Sequence, residues 1–294
     1  MGNKVVCFGE MLWDCFPGEE VPGGAPMNVA LNLSQLGLNV KMISKVGIDD
    51  YGQRLKTFVS GYGLDQSLIQ EDEEFPTGKV LVDQTDPENI RYEIVSPAAW
   101  DYIQINAQNR QAVAEADAFV FGSLGVRNQT SWETLYELIH LPVLKIFDIN
   151  LRAPFYDFEQ LEIILGYTDI LKINEDELAI VAGYFDLPLK LESFCEAITE
   201  LFPIEMICIT LGAKGAMIYK GNKVYRHDGY KVDVKDTVGS GDAFLSGFIK
   251  TSLEGKKPDQ ILDFACALGA YVATQRGGTP KYDLSAIIQL QGKK

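Results

Sequence analysis

Positive charge is scarce in this 294-residue sequence, which has 26 lysine and arginine residues against 41 aspartate and glutamate residues. The formal net charge is −15 and the isoelectric point is about 4.6. Nucleic acids and anionic membranes bind to proteins through surfaces of positive potential. The composition therefore argues against both as partners, and any site for a phosphate must attract its ligand through local groups.

Cysteine and histidine are also few, at five and two residues. The cysteines form no CxxC pair and do not cluster with the histidines, which argues against a zinc site or a disulfide scaffold. No apolar run approaches the roughly 20 residues that a membrane-spanning helix needs, and the first residues lack the apolar core of a secretory signal. We therefore expect a cytoplasmic protein.

The common nucleotide-binding fingerprints are missing as well. The sequence contains no GxxxxGK[ST] loop and no complete GxGxxG dinucleotide motif, and the catalytic-loop and DFG motifs of protein kinases do not occur. A nucleotide site, if there is one, has to be built in another way.

Short apolar runs alternate with amphipathic stretches along most of the chain. Apolar residues on consecutive positions, as in Ala118–Gly122, are typical of parallel strands that are buried on both faces. This alternation predicts an α/β fold with a doubly wound, mostly parallel sheet between helices, a three-layer αβα arrangement. The predicted strands are Val5–Gly9, Val40–Val46, Ala118–Gly122, Val143–Ile149, Asp169–Ile173 and Met206–Thr210.

Two stretches depart from this alternation, at about residues 11–22 and 77–102. Both are rich in extended segments, and the second reads as two strands around a turn at Asp86-Pro87-Glu88-Asn89. They predict a small antiparallel sheet that projects from the main layer as a lid. Since no linker or repeat interrupts the chain, we expect residues 1–294 to form a single domain.

The most informative local pattern runs from Asp236 to Phe244, DTVGSGDAF. A Gly-x-Gly turn that leads into a helix leaves backbone N–H groups free at the positive end of the helix dipole, where they attract anions. Asp242 follows at once, either as a helix cap or as a catalytic carboxylate. A carboxylate beside an anion-binding turn suits phosphoryl transfer, because it accepts the proton of the attacking hydroxyl.

This segment resembles the DTxGAGD-F signature of the ribokinase-like (PfkB) carbohydrate kinases, with Ser240 in place of the usual alanine. Further motifs follow the family's order and cover essentially the whole chain. They are Gly23-Gly24-Ala25-Pro26-Met27-Asn28-Val29-Ala30, Gly47-Ile48-Asp49-Asp50-Tyr51-Gly52, Asn174-Glu175-Asp176-Glu177 and Thr210-Leu211-Gly212-Ala213-Lys214-Gly215.

The resemblance implies a ribokinase-like fold and a role for each matched position. It makes Asp242 the catalytic base, with the backbone amides of Gly239, Ser240, Gly241 and Asp242 forming the anion hole. For the sugar it implies contacts from Asp242 and from Asp14, Gly23, Gly24 and Asn28; Arg91 and Arg152 are further candidates.

For the second substrate the resemblance implies ATP, bound near Asn174, Thr210, Gly212, Gly239, Gly241 and Gly278. It makes Asn174 and Glu177 the pair that organises Mg²⁺, largely through water and phosphate oxygens, although these two residues also suit a helix cap with first-turn acids. Asp236 and Gly278 match the family's site for a monovalent cation such as K⁺.

The GGAPxNVA motif and the segments Arg91-Tyr92-Glu93 and Pro97-Ala98-Ala99 resemble fructokinases, so the first expectation is phosphorylation of fructose to fructose 6-phosphate. The alternatives are 2-keto-3-deoxygluconate kinase, another sugar kinase of the family such as ribokinase, and a sugar-binding protein without turnover. Related kinases often pair through their lids, which implies a homodimer.

Overall fold

The computed structural model describes residues 2–83 and 91–292, and the statements below refer to these residues. The strands of the first part of the chain are β1 (Lys4–Phe8), β2 (Leu12–Phe16), β3 (Glu19–Gly23), β4 (Asn39–Gly47), β5 (Ile69–Asp72), β6 (Gly78–Asp83) and β7 (Arg91–Ile94). Those of the second part are β8 (Ala118–Gly122), β9 (Leu144–Asp148), β10 (Ile170–Asn174), β11 (Met206–Thr210), β12 (Ala216–Lys220) and β13 (Lys223–His227).

The α-helices fill the intervals between these strands. They are α1 (Ala25–Gln35), α2 (Asp50–Ser60), α3 (Ala107–Ala114), α4 (Gln129–Ile139), α5 (Phe158–Leu165), α6 (Glu175–Phe185), α7 (Leu191–Leu201), α8 (Ser240–Leu253), α9 (Pro258–Ala273) and α10 (Leu284–Gln291). Within the described ranges no helix is both long and apolar enough to cross a bilayer.

Nine strands form the main sheet, in the order β13-β12-β11-β10-β9-β8-β1-β4-β5. Neighbouring strands pair in parallel from β5 across to β11, whereas β12 and β13 add an antiparallel edge. The sequence analysis did not predict these two strands. The last one, β13, is mostly exposed and has no continuous apolar run, so a search for strands buried on both faces does not detect it.

The main sheet is covered on both faces, as its apolar strands require. All five residues of β8 are buried. Phe119 and Phe121 pack into the cluster that includes α4 to α7, while Ala118 and Val120 pack into the cluster formed with α1, α8 and α9. The predicted three-layer αβα fold is therefore confirmed.

A second, smaller sheet has the strand order β3-β2-β6-β7. Its strands fall almost entirely within the two stretches predicted for it. Leu12, Val80 and Val82 form a small apolar cluster of its own on one face. The turn predicted at residues 86–89 lies outside the described residues. The existence of a separate small sheet is confirmed. The prediction that it is antiparallel is wrong for one pair, because β2 and β6, which are far apart in the sequence, pair in parallel. The movement of the sheet as a lid remains a prediction.

Candidate active site

The polar residues of interest collect at one edge of the main sheet. Asp148, Asn174 and Thr210 are the last residues of the parallel strands β9, β10 and β11. Ligands of open α/β sheets bind outside the carboxyl ends of the strands. Helices α1 and α8 begin near this edge, and their first turns complete the site.

The glycine turn predicted as an anion hole forms the start of α8. Gly239 is the N-cap residue and has φ = 70°, a conformation that glycine adopts at low cost. A Cβ on Gly239 would overlap the backbone of Gly278, so the two loops touch at this point. The amides of Gly241 and Asp242 lie in the first helical turn, where the helix supplies no carbonyl for them.

Asp242 is held by a residue 214 positions away in the sequence. The side-chain amide of Asn28, in α1, donates a hydrogen bond of 2.8 Å to Asp242 Oδ2. Asn28 is only 4% exposed, and a Cβ on Gly278 would lie 2.9 Å from its Nδ2 atom. The start of α1, the glycine turn and the loop at Gly278 therefore meet around one carboxylate.

The surroundings of Asp242 make it a better base than an ordinary aspartate. Burial, together with the nearby charge of Asp148, raises the pKa of Asp242 to about 6, although the hydrogen bond from Asn28 and the charges of Lys172 and Arg152 oppose this. A base is most effective when its pKa lies close to the working pH. Asp242 is thus ionised at neutral pH yet basic enough to accept a proton in a reaction.

Two more carboxylates lie on the side of this site that the sequence predicted to bind a sugar. Asp14, in β2, packs against the backbone of Gly23, where a Cβ would collide with its carboxylate. Burial raises the pKa of Asp14 to about 6. Glu10, just after β1, is 2% exposed, and a Cβ on Gly24 would collide with its carbonyl oxygen. A Cβ on Gly23 or Gly24 would therefore clash with these two residues. The predicted contact of the two glycines with a sugar stays a prediction, and Glu10 was not predicted.

Glu10 should make stability depend on pH. Burial raises its pKa from an ordinary 4.5 to about 7. Because the folded-state pKa is the higher one, the folded protein favours the protonated carboxyl, and this advantage is lost as pH rises from about 4.5 through 7. We expect Glu10→Gln to be more stable than the parent at pH 8, by about 1–3 kcal/mol, with no gain at pH 4.5.

Urea unfolding at the two pH values measures this difference. Glu137→Gln is the matched control, because the Glu137 side chain is 57% exposed and its change should stay within about 0.5 kcal/mol at both pH values. An equal gain for Glu10→Gln at pH 4.5 and pH 8 would contradict the assignment.

Asn174 and Glu177 form the N-terminal capping box of α6. Asn174 Oδ1 accepts from the Glu177 amide at 2.9 Å, and Glu177 Oε2 accepts from the Asn174 amide at 3.0 Å. Glu177 Oε1 also accepts from the Leu151 amide. Burial and the charge of Asp148 raise the pKa of Glu177. The structure therefore agrees with the interpretation of these two residues as a helix cap. The same hydrogen bonds hold the Glu177 carboxylate near Asp148.

Sequence reasoning missed a buried ion pair at the centre of the site. Lys172 Nζ, from β10, lies 2.8 Å from Asp148 Oδ1, from β9, and the two side chains are 8% and 7% exposed. A Cβ on Gly241 would lie 3.8 Å from Lys172 Nζ, so the lysine reaches the glycine turn. A signal was available, because Lys172 interrupts an otherwise apolar strand.

Acceptor oxygens without a hydrogen-bond partner are concentrated here. Among the described residues, Glu10 Oε2, Asn28 Oδ1 and Asp148 Oδ2 are buried and unpartnered. Free carboxylate and amide oxygens suit sugar hydroxyls and Mg²⁺. In the part of the chain that the structure describes, no three His, Cys, Asp or Glu side chains cluster as a metal cage. The free oxygens named above fit a Mg²⁺ ion that keeps waters and phosphate oxygens as most of its ligands.

The surroundings of three predicted residues differ from what their predicted roles require. They are Ser240, Arg152 and Arg91. The Ser240 hydroxyl donates to the Gly269 carbonyl and its amide donates to the Thr237 carbonyl, so both donors already have partners within the fold. Arg152 is exposed, donates to the Leu151 carbonyl, and lowers the pKa of the site carboxylates from nearby.

Arg91 pairs with Asp83 across the small sheet, in a register that puts it on the face opposite Asp14. Asp14 shares its face with Val80 and Ile94. The structure thus does not bring Arg91 together with the other residues that were predicted to contact the sugar.

The structure also locates the other residues that the sequence predicted for the nucleotide and the monovalent cation. Thr210 ends β11, and Gly212, with φ = 57°, starts the exposed loop that follows. Asp236 accepts from the amides of Val238 and Gly277 through its two carboxylate oxygens. It therefore ties the glycine turn to the loop of Gly278, which is where the sequence predicted a monovalent cation.

Known proteins are similar to this chain over nearly its whole length. The family described as "pfkB family carbohydrate kinase" matches residues 3–283. A putative sugar kinase, PH1459 from Pyrococcus horikoshii, is 32% identical over 96% of this chain and 94% of its own. The probable fructokinase-7 of Arabidopsis thaliana is 28% identical over 94% of this chain and 88% of its own.

Solved structures agree with the sequence matches. A fructokinase from Xylella fastidiosa with bound ATP superimposes with a TM-score of 0.88 at 21% identity, over 100% of this chain and 99% of its own. The PH1459 structure in complex with ATP gives a TM-score of 0.82 at 28% identity, over 94% of this chain and 95% of its own.

Proposed function

Because this chain belongs to the pfkB family of carbohydrate kinases, we propose that it transfers the terminal phosphoryl group of ATP to the primary hydroxyl of a small sugar, most readily converting fructose to fructose 6-phosphate. The observation that carries this proposal is the hydrogen bond from Asn28 to Asp242 at the glycine turn. This bond joins α1, where the Asn28 amide suits sugar hydroxyls, to the start of α8, where the free backbone amides suit phosphate. Relatives named as fructokinases support the choice of sugar.

In the proposed reaction the sugar hydroxyl oxygen attacks the terminal phosphorus of ATP. Its proton passes to the Asp242 carboxylate, the bond from phosphorus to the bridging oxygen breaks, and ADP leaves. The Gly241 and Asp242 amides, with Gly239 shaping the turn, stabilise the negative charge on the transferred group. Ser240 belongs to this turn and orients it through its contact with Gly269.

The sugar is proposed to bind between the small sheet and α1. Asn28 Oδ1 and the carboxylates of Asp14 and Asp242 accept hydrogen bonds from its hydroxyls, and Gly23 and Gly24 let the backbone approach its ring. The small sheet then acts as a lid that excludes water, as part of a single domain that spans the chain.

The nucleotide is proposed to lie over the ends of β10 and β11. Asn174, Thr210, Gly212 and Gly278 line that end of the site, with Gly239 and Gly241 at the phosphates. Mg²⁺, held through water near Glu177, Asn174 and Asp148, would neutralise phosphate charge. A monovalent cation such as K⁺ is proposed beside Asp236.

A panel of sugars tests the proposal. ADP release with ATP and Mg²⁺ would be measured for fructose, tagatose, ribose, 2-keto-3-deoxygluconate and nucleosides. We expect the highest kcat/KM for fructose. Binding of sugars without ADP release from any of them would contradict the kinase proposal in favour of a sugar-binding protein, and a preference for ribose would make the chain a ribokinase.

One observation favours 2-keto-3-deoxygluconate as the second candidate. The exposed Arg152 guanidinium donates to the Leu151 carbonyl, and its charge lowers the pKa of both Glu10 and Asp14. A guanidinium suits the carboxylate of an acid sugar. Arg152→Gln separates the candidates: kcat/KM should fall by about 10- to 100-fold for the acid sugar and change little for fructose.

A homodimer through the small sheet is also proposed. The sheet ends in β3 and β7, whose outer edges have no further strand in the described part of the chain. Unpaired edges tend to be covered. Light scattering should give twice the chain mass of 32.6 kDa, and a monomer at micromolar concentration would contradict this. A cytoplasmic location remains a prediction from the sequence.

A further inference from the structure

A buried lysine at the centre of the site has no role in the reaction described so far. Lys172 is 6% exposed and lies in the middle of the apolar strand β10. Its ammonium group pairs with Asp148 on the neighbouring strand. Burying such a pair costs desolvation energy that the mutual attraction repays only when the remaining groups are also satisfied. Among the described residues the ammonium group donates one hydrogen bond, to Asp148 Oδ1, although it carries three N–H groups.

The position of the pair shows what could accept hydrogen bonds from the remaining N–H groups of Lys172. Lys172 and Asp148 lie on the sheet face that α8 and α9 cover, in register with each other and next to Cys208. There the ammonium group reaches the first turn of α8, beside Gly241. The ammonium group and the free amides at the start of α8 therefore present N–H donors to the same space, which suits the oxygens of a phosphoryl group.

Carboxylates lie close to the Lys172 ammonium group. It pairs with Asp148 Oδ1 at 2.8 Å and lies beside the first turn of α8, which carries Asp242. The site therefore contains a cation in a protein whose net charge is −15. Together with the free amides of the glycine turn, this cation offers N–H donors to an anion.

We propose that Lys172 is a catalytic residue that binds an oxygen of the transferred phosphoryl group, with Asp148 holding its ammonium group in place. This deepens the proposed function and rests on it. Lys172 keeps its proton throughout. Its fixed charge stabilises the negative charge on the phosphoryl oxygens as the bond to ADP breaks. Because this phosphoryl group is present in ATP and absent from ADP, Lys172 should distinguish the two nucleotides.

Calorimetry on the full chain, with Mg²⁺ and without sugar, tests whether Lys172 binds the terminal phosphoryl group. It compares the affinity for ADP with the affinity for the non-hydrolysable ATP analogue adenylyl imidodiphosphate. We expect Lys172→Met to leave the affinity for ADP unchanged and to weaken the analogue by about 10- to 100-fold. The kcat for sugar phosphorylation should fall by about 10²–10³. Lys172→Arg, which keeps the charge, should retain more of the preference for the analogue.

Lys45→Met is the matched control. Lys45 forms a similarly buried pair with Asp72, with side chains 10% and 8% exposed, on strands away from the glycine turn. It should lower stability as Lys172→Met does, yet change neither the ratio of nucleotide affinities nor kcat by more than a few-fold. If Lys172→Met does not fold, Lys172→Gln, which keeps an N–H donor for Asp148 but lacks the charge, is measured by the same ratio.

Equal loss of affinity for ADP and the analogue, or a kcat within tenfold of the parent, would overturn the role of Lys172. These results are distinguishable from failure of the proposed function. A parent protein that phosphorylates no sugar contradicts the kinase proposal, while the nucleotide affinities, measured without sugar, still decide whether Lys172 binds the terminal phosphoryl group.

Discussion

Replacing Asp242 by asparagine should lower kcat by about 10²–10⁴-fold while leaving nucleotide affinity nearly unchanged. Asparagine keeps the shape of the side chain but cannot accept the proton of the sugar hydroxyl. Nucleotide binding should persist because the proposed contacts to the nucleotide are backbone amides rather than this carboxylate. Initial rates with saturating ATP and sugar, together with calorimetry for ADP, measure both quantities.

The pH profile gives the same assignment a second test. Since burial raises the pKa of Asp242 to about 6, kcat of the parent should fall as pH drops through 6 and level off above 7. Asp242→Asn should lose this dependence. Asp283→Asn, at the N-cap of α10, is the control, because it changes a helix cap far along the chain and should leave kcat within a few-fold. Near-normal kcat in Asp242→Asn would refute the base assignment.

Replacing Gly239 by alanine should cost both stability and activity. The added Cβ would overlap the backbone of Gly278, which is itself in close contact with Asn28. One of the loops must move, and this displaces the amides of the glycine turn and the partner of Asp242. Misplacement of reacting groups by about 1 Å is enough to lower the rate by about 10²-fold.

Gly255→Ala is a close control for this substitution. Gly255 has the same φ of 70°, but a Cβ there would find no atom within 4 Å. Both variants carry the cost of alanine in a left-handed conformation, about 1–2 kcal/mol. Only Gly239→Ala should lower Tm further and reduce kcat/KM by about 10²-fold or more. If the two variants behave alike in thermal unfolding and in ADP release, contact with Gly278 does not hold the turn.

Features that depend on neighbouring residues were predictable from the sequence. The consecutive apolar residues of β8 indicate burial on both faces wherever the strand lies, and the Gly-x-Gly turn before α8 leaves free amides for local reasons. The capping box of Asn174 and Glu177 is likewise a matter of four consecutive residues. The doubly wound sheet, the glycine turn and the candidate base Asp242 all follow from such patterns.

Register and long-range contacts were decided only by the tertiary structure. The position of Arg91 opposite Asp83 places it on the face away from Asp14, and a shift of one residue would have reversed this. Lys172 reaches Asp148 and the Gly241 turn because two strands and a helix meet there. The sequence by itself determined which residues could bind an anion or accept a proton, because those capacities are local. Which of them share one site depends on packing between segments as far apart as Asn28 and Asp242.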